Sequence, residues 1–505
     1  MTPPHDLGDL GPGAPTAPIA LLDAAAASAR LAARFVEVDD AMQARLADVC
    51  SSISVTEAER AEASRDWWPL AMIWALDNQV AGRAAVVVRP SSAGEVAAVL
   101  AVCNKHSIPV TPAAGRSGVC GASIPVHGGV LLDLCDLDDH FDVDETSLVL
   151  DVAPGVFGDH LEHRLRADHG ATLGHWPQSV ALSTVGGWIA CRGAGQLSTR
   201  YGKIEDMVLG LDVALADGTT ISTGGAPRAA VGPDLTQMFV GSEGILGVIT
   251  GARLRLHPAP AHERRAAYGF ATFADGLEVC RRIMQRGARP AVLRLYDAAE
   301  ANRSYSTGER HVVLVLDEGD EVIVDATMQV VDEVCADAEG LDDALVGQWL
   351  DHRNDVSALE ALISKGFVVD TMEIAASWAA LPAIYEAGIE AISSVPGTLS
   401  ATAHQSHSYP DGACLYFTFA GRTEPAEREA YYRAAWDAGT TAVLDHGGAL
   451  SHHHGVGLNR SRFVPRALGE AFGVLQSVKH ALDPNGILNP GKFGLADPFG
   501  SSEWP

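Results

Sequence analysis

Two stretches of this 505-residue chain place reactive residue types close together. The first is the triplet His452-His453-His454, followed by Gly455. Imidazoles titrate near neutral pH, so adjacent histidines can relay protons or stabilise negative charge. A solvated polar turn is the structural alternative. Three consecutive imidazoles do not easily face one ion, and no cysteine or carboxylate stands at zinc-ligand spacing, so no metal is expected. The second stretch, residues 109–134, reads PVTPAAGRSGVCGASIPVHGGVLLDL. Gly115, Gly118 and Gly121 allow a sharp turn and a close approach to a ligand. Successive N–H groups in such a turn form an anion site, and a plain glycine-rich hairpin is the alternative. The spacing Gly-x-x-Gly-x-x-Gly matches neither a Rossmann turn nor a P-loop.

These residues need elements to hold them. Strands are expected at 84–88, 108–112 and 129–134, with a helix between the first two. Ser92-Ala-Gly-Glu95 caps that helix, and Val96, Val99, Leu100 and Cys103 recur at helical spacing. A strand at 147–152 and a helix at 158–167, stopped by Gly170, form a second unit. Strands at 208–214 and 247–256 continue the domain, and Pro258 and Pro260 mark its end. Apolar strands at 312–316 and 414–419 alternate with helices in a second domain. A helix with Leu468, Phe472, Leu475, Val478 and Leu482 on one face follows the histidines, ended by Asp483-Pro-Asn-Gly486.

The boundaries follow from these elements. Residues 1–18, with five prolines and three glycines, are expected to be disordered. Residues 19–79 form a helical N-terminal region whose Trp67, Trp68 and Trp74 pack at a domain edge. The main domain is 80–260, the second 261–440, a C-terminal segment 441–495, and a loose tail 496–505.

Composition narrows the function. A net charge of −28 argues against a nucleic-acid partner and an anionic membrane. Eight scattered cysteines without a Cys-x-x-Cys pair read as reduced thiols. The first basic residue after His5 is Arg30, so no secretory n-region is expected, and no apolar run reaches the roughly 18 residues of a membrane span. A cytoplasmic protein without a transmembrane segment is the expectation.

Three further segments give the glycine turn its meaning: residues 177–187 (PQSVALSTVGG), 201–206 (YGKIED) and 241–249 (GSEGILGVI). In this order and spacing the chain resembles the vanillyl-alcohol-oxidase, PCMH-type FAD-binding superfamily over roughly residues 80–495. Residues 408–416 (SYPDGACLY) and 451–457 (SHHHGVG) resemble alkylglycerone-phosphate synthases within it. The resemblance implies an α+β fold: a PCMH-type FAD-binding domain of two subdomains, and an α/β cap domain with an antiparallel sheet. It implies non-covalent FAD, a lipid-like small-molecule substrate and a homodimer. The FAD-binding stretches fall on Pro112, Ala113, Ala114, Gly115, Arg116, Ser117 and Gly118; on Gln178, Ser179, Ser183 and Thr184; on Cys191, Arg192, Gly193 and Ala194; and on Glu243, Gly244, Gly247, Val248 and Ile249. Glu243 to Ile249 would run along the adenosine half, and the Thr184 hydroxyl would lie near the flavin ring.

The resemblance also assigns roles. Tyr416 matches a general acid/base tyrosine, and a phenol with a pKa near 10 needs tuning by its neighbours. His452, His453, His454 and His175 match catalytic positions, and Arg294 matches a substrate-site arginine. Cys120 lies where some relatives carry a flavin-linked histidine, and is expected to be a small buried cysteine. The family's phosphate-binding arginine precedes a segment that appears here as residues 373–378 (EIAASW), and its position falls near Leu359. Arg353 is a nearby substitute, and His404 and His407 crowd the approach to Tyr416. Two readings follow. One is exchange of an acyl group for an alkoxide on a dihydroxyacetone-phosphate-type substrate. The other is FAD-dependent oxidation of a D-2-hydroxy acid or alcohol.

Overall fold

A computed structural model describes residues 10–31 and 33–500. The expected β-α-β unit forms a four-stranded sheet. Val86–Arg89 and Val110–Ala113 both lie parallel to Val130–Asp133 between them, and Ser52–Ser54 adds an antiparallel edge. The crossover helix is Ala93–His106. Ser92 caps it by accepting the Glu95 N–H at 3.3 Å, and Val96, Val99, Leu100 and Cys103 are its buried face. The Glu95 carboxylate accepts from the Ser91 N–H at 2.9 Å rather than from Ser92, so only half of the capping box closes.

A five-stranded antiparallel sheet follows, in the order Thr220–Ser222, Val208–Ala214, Val248–Arg255, Val149–Val152, Phe141–Asp144. The helix Gly158–His169 packs beside it and stops at Gly170, whose φ of 57° suits glycine. A seven-stranded antiparallel sheet completes the fold. Its order is Glu339–Leu341, His262–Phe270, His311–Gly319, Val292–Tyr296, Thr398–Ser408, Gly412–Gly421, Val368–Ser377.

Alternation in this last sheet makes the floor of the site. In Gly412–Gly421, Leu415, Phe417 and Phe419 point into a core with Ile384, Tyr432 and Trp436 from the covering helices. Tyr416, Thr418 and Ala420 therefore face the other way, into a large cavity. Arg294 and Tyr296 of Val292–Tyr296 share that face, as do Ser400, His404 and Ser406 of Thr398–Ser408.

Three sequence expectations need correction. Residues 10–18 are tied to the body rather than free: the Gly11 N–H donates to Asp159 Oδ2 at 2.6 Å, and Trp67 Nε1 donates to the Thr16 carbonyl at 2.9 Å. Residues 496–500 are likewise held, with Asp497 Oδ2 2.6 Å from His127 Nε2 and Phe499 buried. Residues 1–9 and 501–505 lie outside the described residues. The single C-terminal helix is two helices, Val464–Leu468 and Ala471–Leu482, broken at Gly469 (φ 53°, ψ −134°). Beyond it, Val110 N–H bonds to the Ile487 carbonyl and Asn489 N–H to the Val110 carbonyl, both at 2.8 Å, so the C-terminal segment is stitched to the first sheet. Among the described residues no helix is long and apolar enough to cross a membrane.

Candidate active site

The cavity has a volume of about 1210 Å³. That exceeds the roughly 300–1,000 Å³ of an ordinary small-molecule site and leaves room for a dinucleotide beside a substrate. One wall is the glycine-rich turn. The N–H groups of Gly115, Arg116, Ser117 and Gly118 donate to no backbone acceptor among the described residues. A Cβ on Gly118 would meet nothing within 4 Å, so the turn opens onto free space. A Cβ on Gly115 would stand 2.3 Å from the Leu182 carbonyl oxygen, so this turn abuts residues 177–187 with no room to spare. Gly115→Ala must push the two apart. Overpacking of about 1–3 kcal/mol predicts a roughly 5- to 150-fold weaker cofactor affinity, read by flavin titration.

The floor carries the polar groups. Tyr416 is stacked on His404, with ring centroids 4.8 Å apart, and its hydroxyl lies 3.4 Å from His454 Nε2. Burial raises its pKa above the usual phenol value, so it holds its proton. His404 Nδ1 lies 3.0 Å from Glu300 Oε1, and its Nε2 lies 2.8 Å from Arg294 Nη2. A guanidinium can only donate, so Nε2 is the acceptor and Nδ1–H donates to the carboxylate. Arg294 and Glu300 thus fix the His404 tautomer. Arg353 lines the same cavity at 8% exposure, with its guanidinium 5.2 Å from the Trp176 ring and 5.6 Å from the Trp349 ring. Its Nη1 is buried without a hydrogen-bond partner, and desolvation lowers its pKa to about 10.

The histidine loop is built around two buried carboxylates. Glu373, from Val368–Ser377, accepts the backbone N–H groups of His452, His453 and His454 (the last at 2.8 Å) and the Ser451 hydroxyl at 2.9 Å. Arg460 balances its charge at 3.0 Å. Glu243 accepts the N–H groups of Val456 and Gly457 at 2.5 and 2.8 Å. Between them sits Gly455, at φ 78°, where a Cβ would lie 2.0 Å from Glu243 Oε1. Only glycine fits there.

His407 joins the cluster from a bulge in the Thr398–Ser408 strand, with φ 53°. The bulge re-aims its ring towards His452 and His453, whose centroids are 5.0 and 4.9 Å away. One ring nitrogen from each of His407, His452 and His453 falls within 4.8 Å of the others, a spacing a divalent cation could span. Only two of the triplet take part, and no carboxylate joins them. Lys203 and Arg294 direct positive charge at these imidazoles, which disfavours a cation there and favours an anion.

Six imidazoles of the site, those of His175, His404, His407, His452, His453 and His454, are held neutral. Burial lowers His404, His407, His452 and His453, and takes His175 to about 3 and His454 to about 4. Each folded-state pKa lies below the unfolded value near 6.5. Their contribution to stability is therefore complete above about pH 6.5 and is lost as pH falls towards 3–4, at roughly 1.4 kcal/mol per group per pH unit. Asp66, Glu243 and Asp370, raised by burial to about 7, act in the opposite sense over that window, because the folded state keeps their protons. Burial raises Glu162, Asp297 and Asp317 as well and lowers His257 and His311, so eight imidazoles stand against six carboxyl groups, and thermal unfolding scans should show the melting temperature falling modestly from about pH 6.5 to pH 4.

The comparisons with known proteins bear on this geometry. The family model for the FAD binding domain matches residues 84–224, and that for the C-terminal domain of FAD linked oxidases matches residues 259–493. The FAD-linked oxidoreductase YgcU of Escherichia coli is 32% identical over 427 residues, covering 81% of this chain and 88% of its own. The chain belongs to the FAD-linked oxidase family. Alkyldihydroxyacetonephosphate synthase of Dictyostelium discoideum is 29% identical, covering 82% of this chain and 74% of its own. A solved structure of such a synthase superposes with a TM-score of 0.76 at 24% identity, covering 92% of this chain and 88% of that one. p-Cresol methylhydroxylase superposes with a TM-score of 0.75 at 17% identity, covering 93% and 100%. These two superpositions show the PCMH-type α+β fold.

The cofactor of this FAD-linked oxidase is FAD, and the cavity suits it. Free N–H donors at Gly115 to Gly118 and open space at Gly118 fit a diphosphate. His175, fully buried with neither ring nitrogen hydrogen-bonded, borders the same cavity. Of the expected cofactor-binding residues, Pro112 to Gly118, Gln178, Ser179, Ser183, Thr184, Cys191, Gly193, Ala194, Glu243, Gly244, Gly247, Val248 and Ile249 line the cavity. Arg192 does not. As the left-handed cap of the helix Val185–Cys191 (φ 60°) it turns outwards and pairs with Glu205 at 3.2 Å. The Thr184 hydroxyl is engaged as the N-cap of that helix, accepting from the Gly187 N–H at 3.3 Å. Cys120 lines the cavity and is buried, with its thiol raised well above its ordinary pKa, and so stays protonated.

Of the expected catalytic and substrate residues, Tyr416, His453, His454, His175, Arg294, Arg353, His404 and His407 line the cavity. His452 does not. It sits behind them, with Nε2 2.9 Å from the Tyr409 hydroxyl and its carbonyl 2.6 Å from Lys203 Nζ. Sequence reasoning missed Glu373, Glu300, Lys203 and Arg460. Two signals stood in the sequence: Lys203 lies in the 201–206 segment and Glu373 opens the 373–378 segment, both already singled out.

Proposed function

We propose that this FAD-linked oxidase family member oxidises the hydroxyl-bearing carbon of an organic anion. The observation that supports it is one cavity lined by a protonated phenol, neutral imidazoles and a buried guanidinium whose Nη1 has no hydrogen-bond partner. FAD supplies the hydride acceptor when bound. Arg353 and Arg294 hold the substrate's anionic group, and the buried Arg353 Nη1, unbonded although Glu318 and Glu263 act on the guanidinium from a distance, gains from such a partner. Tyr416 meets the substrate hydroxyl, and His454 stands ready for the proton. Two relatives carry names of this kind: glycolate oxidase subunit GlcD of Bacillus subtilis (27% identical) and D-lactate dehydrogenase of Arabidopsis thaliana (28%).

A second reading, synthase-type exchange forming an ether lipid, is favoured by one feature. Val356, Ala358, Leu359 and Leu362 extend the cavity beyond Arg353 as an apolar wall, where a fatty chain would lie. One comparison separates the two. The flavin-loaded protein is mixed without oxygen with a panel of D-2-hydroxy acids and hydroxyalkyl phosphates, and separately with acyl-dihydroxyacetone phosphate and a long-chain alcohol. Stable bleaching of the flavin by the first set is expected. Ether product from the second, without bleaching by the first, would replace oxidation by exchange.

A further inference from the structure

Glu373 has a second position of note beyond its grip on the histidine loop. Its Oε1 lies 3.6 Å from His454 Nδ1, and His454 Nε2 faces the Tyr416 hydroxyl at 3.4 Å. His454 Nδ1 is buried and makes no hydrogen bond, so the Glu373 carboxylate faces it at ion-pair distance, short of bonding contact. Glu373 and Tyr416 sit directly opposite each other on paired strands, so the sheet itself fixes the outer two groups. The loop that carries His454 is then moored to the same carboxylate by its own N–H.

We propose that Glu373, His454 and Tyr416 form a carboxylate–imidazole–phenol relay, with Glu373 as the positioning residue; this rests on the oxidation reading above. The carboxylate holds the imidazole as the Nδ1–H tautomer, which turns the Nε2 lone pair towards the phenol. A phenol whose proton is held tightly by burial needs such a neighbour to act as a base. As the substrate hydroxyl gives its proton to the Tyr416 oxygen, the Tyr416 proton passes to His454 Nε2. The electron pair of the O–H bond becomes the second bond of the carbonyl, and the C–H pair leaves as hydride to the flavin. The imidazolium formed lies against the Glu373 charge, which stabilises it. Arg460 keeps that carboxylate ionised before and after. The groups facing His454 are Glu373, Arg460, His453 and Tyr416; burial lowers its basicity most, Glu373 raises it and Arg460 lowers it further.

Glu373→Gln keeps the shape and removes the charge. The relay predicts a roughly 10²- to 10⁴-fold fall in kcat, the size seen when a carboxylate is removed from a Ser-His-Asp triad, with KM changed little. It also predicts that the acid limb of the kcat profile moves to lower pH, because His454 loses its raising neighbour. Nitrogen-15 NMR of labelled histidine in the flavin-loaded protein should show His454 as Nδ1–H in the wild type and no longer so in the variant. Should E373Q leave Arg460 unpaired and the protein unstable, E373Q/R460M removes both charges and restores folding but not turnover. Recovery of turnover in the double variant would overturn the relay, as would loss of activity with the His454 tautomer unchanged, which marks a packing role alone. If no hydroxy compound reduces the wild type, the oxidation reading fails and the tautomer measurement still decides whether Glu373 positions His454.

Discussion

Tyr416→Phe should lower kcat by roughly 10²- to 10⁴-fold, the range of a lost general acid–base group, while the flavin stays bound. The ring would keep its stack on His404 at 4.8 Å and its place on a strand whose alternate residues are core. Only the hydroxyl facing His454 is lost. Phenylalanine cannot carry a proton. The measurement is steady-state turnover beside flavin content per chain. Activity within a few-fold of wild type would remove Tyr416 from the chemistry.

Arg353→Met should act in two opposite directions. Methionine fills the slot between Trp176 and Trp349 without a charge, so the melting temperature should hold or rise, because a desolvated guanidinium with an unpartnered Nη1 no longer has to be buried. Meanwhile kcat/KM for an anionic substrate should fall by about 2–4 kcal/mol, roughly 30- to 1,000-fold, as for the loss of one partner of a buried charged contact. The loss should fall mainly on KM, and a neutral analogue of the substrate should lose little. A variant with lower stability and unchanged KM would make Arg353 structural.

Local physics made much of this legible from the chain. The Ser92 cap and the spacing of Val96, Val99, Leu100 and Cys103 determine a helix and its buried face. Tyr416 enters the site by resemblance alone, since alternation through residues 414–419 reads equally as a packed ring; it faces away from Leu415, Phe417 and Phe419, into the cavity. The glycine turn was readable because Gly115 is packed too closely for a side chain and Gly118 opens onto free space. Contacts between residues far apart in the chain were not readable. Glu373 reaches His452, His453 and His454 across about 80 residues, and no local pattern encodes that. The bulge at His407 depends on strand pairing with Gly412–Gly421, and the inward turn of His452 depends on Tyr409 and Lys203. Arg192 was drawn to the cofactor by its neighbours, yet its left-handed cap geometry points it outwards. Proline and glycine content suggested a free N-terminus, but two hydrogen bonds at Gly11, to Asp159 and His160, and one at Thr16 tie residues 10–18 to the body.

The most direct test of the central claim follows the bleaching of the bound flavin under anaerobic conditions with one hydroxy anion, prepared with hydrogen or with deuterium on the hydroxyl-bearing carbon. If that carbon gives up hydride while Tyr416 and His454 take the hydroxyl proton, the flavin bleaches and the deuterated compound bleaches it more slowly. A flavin that stays oxidised with every hydroxy anion, or that bleaches equally fast with both isotopes, contradicts the account.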